Sequence, residues 1–210
     1  MNDNDFMDKS NITLESRNNI KDNILLAQIR ECFGRVAYSH KTHEKQAEIL
    51  ANKDKFWKCI QIILSVVVSG TFLATLNDLF NCEKLWVFLG TILSIMLAAI
   101  NLLFNNFNYG KESQKHKDIA VKLWNIRETY ISLIADLMAK SIVVESAIKK
   151  RDDLQSELMD IYKNAPQTSK KAYAEAQKAL KLNEELTFSS SELDMLLPNK
   201  LRLIAYQEVQ

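Results

Sequence analysis

The sequence predicts an all-α membrane protein in which a two-helix transmembrane hairpin is joined to long cytoplasmic helices. Two runs predict the hairpin, because Cys59–Asn77 and Leu85–Gly110 contain no Asp, Glu, Lys, Arg or His. At about 1.5 Å per residue, each run can cross a hydrocarbon core of roughly 30 Å. The chain has only 4 Gly and 2 Pro, which favours long helices over sheets.

Lysines flank the hairpin on one side of the predicted membrane. The connecting loop offers only Lys84, whereas four lysines precede the first run and four follow the second. They are Lys45, Lys53, Lys55 and Lys58, then Lys111, Lys115, Lys117 and Lys122. The positive-inside rule therefore places both termini in the cytoplasm. We expect a cytoplasmic helix at 1–56, a hairpin at 57–107 with spans at about 59–77 and 85–105, and a C-terminal cytoplasmic helical region at 108–210.

Two apolar seams with alternating three- and four-residue spacing predict how the cytoplasmic helices pack. The first lies in a long helix over Ile12–Phe56, and the second lies within Lys111–Asn164. Such seams are typical of coiled coils. They would serve equally for contacts between subunits or for packing of the first helix on its own C-terminal partner. The first seam comprises Leu26, Ile29, Phe33, Val36, His40, His43, Ala47 and Leu50.

The C-terminal region is predicted to contain several shorter helices. A break is expected near Lys140–Ser141, and Pro166 should end the helix before it. A third helical stretch covers Ser169–Leu186. Ser189 and Glu192 then fit a capping box that starts a short helix ending before Pro198.

Polar and small residues follow one face of each predicted membrane helix. Asn and Gln are costly when they face lipid, so these faces should point at protein or at water. They would either line an oligomeric pore or hold neighbouring helices together. No ring of charged residues lies within the spans, which argues against a highly ion-selective filter. The candidates are Gln61, Ser65, Ser69, Thr91, Ser94, Asn101 and Asn105.

His40 and His43 occupy positions in the first seam. Buried polar residues in such seams fix register and subunit number, so we interpret the two histidines as a polar layer. The alternatives are a pH sensor or a metal site completed by Cys32 or Glu44. Two histidines on one helix match a metal site weakly, and we expect neither a metal nor a cofactor.

Composition and motifs argue against several functional classes. A net charge of +1 without a basic tract gives no indication of nucleic-acid binding. The chain has no G-x-x-x-x-G-K-[ST], G-x-S-x-G, C-x-x-C or H-E-x-x-H motif. An enzymatic activity is therefore not expected.

The layout of the chain resembles the SLATT family, the two-transmembrane effectors of bacterial conflict systems. Three segments within roughly Ile20–Leu186 carry the resemblance: Ala37–Gly70, Lys115–Leu137 and Ile161–Lys181. The resemblance implies an anti-phage effector of the bacterial inner membrane that causes abortive infection. It also implies a trigger, which would be a nucleotide second messenger or a partner protein of the defence system.

The residues and the resemblance together predict a homo-oligomer that permeabilises the membrane as a pore. A membrane-anchored scaffold or sensor that conducts nothing is the main alternative, because the polar faces would serve helix packing equally well. A dedicated ion channel is a weaker alternative, since the hairpin loop NDLFNCEK has no Asp/Glu filter pair.

Overall fold

The computed structural model describes the backbone of residues 3–76, 83–198 and 201–202, and the side chains of residues 20–70, 87–103, 108–198 and 201–202. This part of the chain forms six helices and no strand, which confirms the predicted all-α class. The helices are α1 (Asp3–Leu76), α2 (Glu83–Phe107), α3 (Tyr109–Met138), α4 (Val144–Lys163), α5 (Lys170–Lys181) and α6 (Ser190–Leu196).

Helices α1 and α3 pack against each other in an antiparallel arrangement. The Ser113 hydroxyl donates to the Ala47 carbonyl at 2.8 Å, and Lys53 lies over the Tyr109 ring at 5.8 Å. In these two contacts, the residue number on α3 decreases as the residue number on α1 increases. The core of this pair consists of the seam residues Ile29, Val36, Leu123, Ile126, Tyr130 and Leu133. Within the described residues, the first seam therefore packs on α3 of the same chain. This is the alternative in which the first helix packs on its own C-terminal partner.

Helix α4 runs parallel to α1 in a fixed register. Four side-chain hydrogen-bond pairs join α1 to α4 and to the N-cap of α5, and each pair is separated by 123 residues. A constant offset requires that the two segments run in the same direction without slipping. The pairs are Gln28 with Arg151, Cys32 with Gln155, Ser39 with Tyr162 and Gln46 with Ser169.

The breaks between the C-terminal helices follow the predicted signals with one exception. Lys140 adopts a φ of 54° between α3 and α4, which confirms the break predicted there. The capping box of Ser189 and Glu192 is also present at the start of α6. The prediction for α5 was too long, because the helix ends at Lys181 rather than at Leu186. Glu184 has a φ of 50°, a left-handed conformation that a helix cannot contain.

The C-terminal part of α1, from about Trp57 onwards, forms a hairpin with α2. Each helix turns a half-buried face to the other, formed by Ile60, Gln61, Leu64 and Val68 on α1 and by Leu93, Leu97, Ile100 and Asn101 on α2. Asn108, at a φ of 30°, separates α2 from α3 and caps α3 through a 3.1 Å bond from the Lys111 amide. Among the described residues, no helix has the length and hydropathy needed to cross a membrane. The membrane-spanning role of the hairpin therefore stays a prediction.

Candidate functional site

Gln61 and Asn101 are the two predicted site residues that the structure brings together. The Gln61 amide nitrogen donates to the Asn101 side-chain oxygen at 2.5 Å, between α1 and α2. Both residues are half-buried in the contact between these helices. An amide pair of this kind holds two helices together where water is scarce. These two residues therefore join α1 to α2 within one chain.

The four predicted hydroxyl residues are not joined to one another across the hairpin. Each donates to the carbonyl oxygen four residues earlier in its own helix, at 2.8 to 2.9 Å, and each is exposed. Such a bond satisfies the hydroxyl without a partner on another helix. The residues are Ser65, Ser69, Thr91 and Ser94. The side chain of Asn105 lies outside the described residues.

A buried histidine layer lies between α1 and α3, in the part of α1 that precedes the hairpin. His40 and His43 come from α1, and His116 of α3 completes the layer. The Nδ1 atoms of His43 and His116 are 2.9 Å apart, so one ring donates a hydrogen bond and the other accepts it. Sequence reasoning missed His116, although it precedes Ile119 by three residues and Leu123 by seven in the same seam. Extending that seam by one step towards the N-terminus would have found it.

The environment of this layer favours neutral imidazoles. Burial lowers the pKa of all three histidines. The effect is largest for His43, whose pKa falls to about 4 because burial is reinforced by the neighbouring His116 and His40. For His116, Glu112 acts in the opposite direction but does not overcome burial. Charging His43 and His116 together would remove their hydrogen bond and place two cations in contact.

His40 differs from the other two histidines in its contacts. Its Nε2 lies 3.6 Å from a Glu44 carboxylate oxygen, whereas its buried Nδ1 has no hydrogen-bond partner in the described part of the chain. Cys32 lies away from the layer, where it accepts hydrogen bonds from Arg35 and Gln155. Within the described residues, no group of three or more His, Cys, Asp or Glu side chains is arranged to hold a metal ion.

The segment after α5 is tied to α1 beside the histidine layer. Glu185 accepts from Lys41 at 2.7 Å and from Lys45 at 3.4 Å. The hydrogen bond from Lys41 lowers the pKa of Glu185 to about 2, so the carboxylate stays charged at every physiological pH. Burial opposes the charge on Lys41, but hydrogen bonds to Glu185 and Glu44 outweigh it and raise the pKa of Lys41. The C-terminal region and the histidine layer therefore share one stretch of α1.

Comparison with known proteins gives one match, to a family. No curated protein and no solved structure matches the chain. The model of the SMODS and SLOG-associating 2TM effector domain family 4 matches residues 25–192, which include the hairpin, the histidine layer, α5 and the start of α6. This match covers well over half of the chain and confirms the resemblance seen in the sequence. The chain belongs to the SMODS and SLOG-associating 2TM effector domain family.

Proposed function

We propose that the chain is an oligomeric effector that permeabilises the bacterial inner membrane in anti-phage defence. Membership in an effector-domain family gives the chain a role in bacterial conflict systems. The proposal adds the membrane-spanning hairpin with both termini in the cytoplasm, the oligomer, the leak and abortive infection as the result. It includes no catalytic step. A nucleotide second messenger or a partner protein would provide the trigger.

The outward faces of the hairpin are the observation that carries this proposal. Large apolar side chains are exposed on both helices, while the Gln61–Asn101 pair is turned inward. Exposed apolar surface of this extent marks contact with lipid or with another protein. The exposed side chains are Ile62, Ile63, Val66, Val67, Val87, Phe88, Leu89, Ile92, Ile95, Met96, Leu102 and Leu103.

Aromatic and basic residues lie where the hairpin meets the rest of α1 and α3. Trp57 packs edge-on against Phe56, with ring centroids 5.7 Å apart, and Lys53 lies over Tyr109. Aromatic rings and lysines are enriched at the level of lipid headgroups, where one end of the side chain is apolar and the other is wet. This position supports a hairpin inserted above Lys53 and a helical bundle on the cytoplasmic side.

A non-conducting scaffold or sensor is the second candidate, and one observation favours it. The Gln61–Asn101 pair is closed within one chain, and the four hydroxyls are satisfied by their own backbone. Each of these six side chains makes a hydrogen bond within one chain, which is compatible with an anchored assembly without a pore.

Dye release from liposomes distinguishes the two candidates. The purified full chain is reconstituted with an encapsulated impermeant dye, with and without cyclic dinucleotides as a probe of the trigger. An effector should release dye when it is oligomeric, and oligomer mass is measured on the same sample. Oligomers that retain the dye under each condition that activates the protein in cells would support the scaffold.

A further inference from the structure

A groove of about 550 Å³ runs between α1 and α3 just below the hairpin. Its lining includes three small residues, Ala47, Ala51 and Ala120. Beside them stand Trp124, which is 49% exposed, and Val121, which is 67% exposed. The same surface therefore presents a depression and a large apolar projection. Such a pair of shapes suits contact with another helix, since small residues allow close approach and an aromatic side chain supplies the contact area.

The wall of this groove contains a buried polar residue, His40. His40 lines it and is almost fully buried, yet its Nδ1 has no hydrogen-bond partner in the described part of the chain. Buried nitrogens without a partner are uncommon in folded proteins. An occupant of the groove could bring a donor or acceptor to this atom only if the His40 side chain turns, because the Nδ1 atom is buried.

The rim of the groove carries charges of both signs. Glu44 and Glu48 lie on α1, whereas Lys117 lies across the groove on α3, at the level of Glu44. Lys55 lies on α1, closer to the hairpin. A rim of one sign would select an oppositely charged partner. A mixed rim instead complements itself, because the acidic part of one copy can face the basic part of another. Self-complementarity of this kind is what an interface between identical subunits needs.

The α1 side of the groove continues without interruption into the hairpin. Glu48 and Lys55 are followed at seven-residue intervals by Ile62 and Ser69, and α1 is one helix over this whole length. Positions seven residues apart share one face of a helix in a coiled coil. An occupant that follows this line must be polar beside Glu48 and Lys55 and must suit an apolar surface beside Ile62. A second copy of the chain has this distribution along its own α1.

We propose that the groove between α1 and α3 is the docking site for a second copy of this chain, and that the contact continues along α1 to Ser69. This inference rests on the proposed function, because it takes the hairpin to lie in the membrane. It assigns the subunit interface to this groove, whereas the apolar seam of α1 is used within one chain. Ser65 and Ser69 would then lie at or beside the contact between subunits.

Two substitutions test the interface in the full chain reconstituted in lipid nanodiscs. Ala51→Arg places a long charged side chain in the groove, and Met159→Arg makes the same kind of change on α4, where Met159 is 61% exposed. We expect Ala51→Arg to weaken self-association at least tenfold, as measured by mass photometry, while Met159→Arg leaves it unchanged. Unfolding curves that match the wild type show that both variants fold.

Cysteine crosslinking gives an independent measurement that does not depend on a destabilising change. In a background with Cys59→Ser and Cys82→Ser, Lys55→Cys should form dimers with a short bismaleimide, whereas Lys163→Cys on α4 should not. Absence of dimers at Lys55→Cys, or unchanged association of Ala51→Arg, would overturn the docking site. Crosslinked oligomers that retain dye would support the docking site and count against the permeabilising function. A wild-type protein that stays monomeric in nanodiscs would count against both.

Discussion

The helical bundle and the hairpin share α1 but bury their apolar residues in opposite ways. In the bundle, formed by α1 with α3, α4 and α5, the large aliphatic residues of the seams are inside. In the hairpin, formed by α1 and α2, most described aliphatic residues point outward. One helix therefore supports two kinds of packing along its length. The bundle excludes water with its own residues, whereas the described part of the hairpin leaves large apolar side chains exposed.

The two regions also differ in the side-chain hydrogen bonds that join their elements. Four hydrogen-bond pairs at a constant offset of 123 residues hold α4 and the start of α5 in register with α1. Among the described residues of the hairpin, Gln61 and Asn101 form a side-chain hydrogen bond between its two helices. Within the described residues, more side-chain hydrogen bonds join the elements of the bundle than join the two helices of the hairpin. A change in the bundle should act mainly on stability, and a change in the hairpin mainly on assembly and leakage.

The strongest test of this comparison uses the same substitution in both regions. Ile126→Ala removes a side chain that is fully buried in the bundle, and Ile95→Ala removes one that is 63% exposed in the hairpin. We expect Ile126→Ala to lower the free energy of unfolding by about 2–5 kcal/mol, because it leaves a cavity. Ile95→Ala should change it by less than about 0.5 kcal/mol. Chemical denaturation in detergent measures both, and equal losses would contradict the difference between the regions.

Acid should weaken the bundle through its histidine layer. Burial lowers the pKa of His43 from 6.5 to about 4 in the folded chain. Since the unfolded chain binds this proton more readily, stability is complete above pH 6.5 and falls as the pH drops towards 4. Between pH 7.5 and pH 5, His43 alone should cost about 2 kcal/mol.

A comparison of variants separates this effect from the titration of carboxylates. The lowered pKa of Glu185, about 2, lies below the pH range of the experiment, so its ion pair with Lys41 stays intact. The variant His43→Asn should lose the contribution of His43 to the pH dependence between 7.5 and 5, while His40 and His116 keep theirs. Glu185→Gln should keep the full pH dependence. Denaturation midpoints at the two pH values provide the measurement. A full pH dependence in His43→Asn would exclude this histidine as the cause.

Breaking the amide pair should have a smaller effect, confined to the hairpin. Gln61→Leu leaves the Asn101 amide without its partner and should cost about 1 kcal/mol of stability in a membrane-like environment. Replacing both residues with leucine should recover part of this loss, because no polar group then lacks a partner. Thermal unfolding in detergent measures the cycle. If the double variant also keeps its leakage in liposomes, the pair serves packing. Loss of leakage with full stability would instead indicate that it contacts water.

The sequence predicted that α1 and α3 each have an apolar seam, but not every position in it and not which seam packs on which. The buried core contains Leu25 and Cys32, whereas the predicted Leu26 and Phe33 are half-buried. Ile29 and Val36 were expected in a seam, and their contact with α3 of the same chain needed the structure. A three- and four-residue spacing is the same for contacts within a chain and between chains, so the pattern has no information about the partner. The breaks at Lys140 and before Pro166 were predictable because they depend on local backbone geometry.

The candidate site was predictable to a lesser degree for a related reason. Gln61 and Asn101 were predicted as site residues because an amide side chain that faces lipid is costly in free energy. This cost indicates that each residue needs a polar partner, but it does not identify the partner. The end of α5 at Lys181 was missed, and the segment after it is held by the ion pair of Glu185 with Lys41, a contact between residues far apart in sequence. His116 was missed although its spacing was visible. Long-range pairing is the part of the fold that periodicity does not encode.

The smallest expected effect concerns the exposed hydroxyls. Ser65→Ala removes a hydroxyl that bonds only the Gln61 carbonyl of its own helix, so stability should change by less than about 0.5 kcal/mol. Ser65→Leu should be equally harmless if this position faces lipid. If Ser65 instead lies at or beside a contact between subunits, as the docking site requires, the leucine should weaken association while alanine does not. Leu89→Ala, at an exposed position of α2, serves as the control. Mass photometry of the three variants in nanodiscs therefore shows whether an unchanged fold hides a changed assembly.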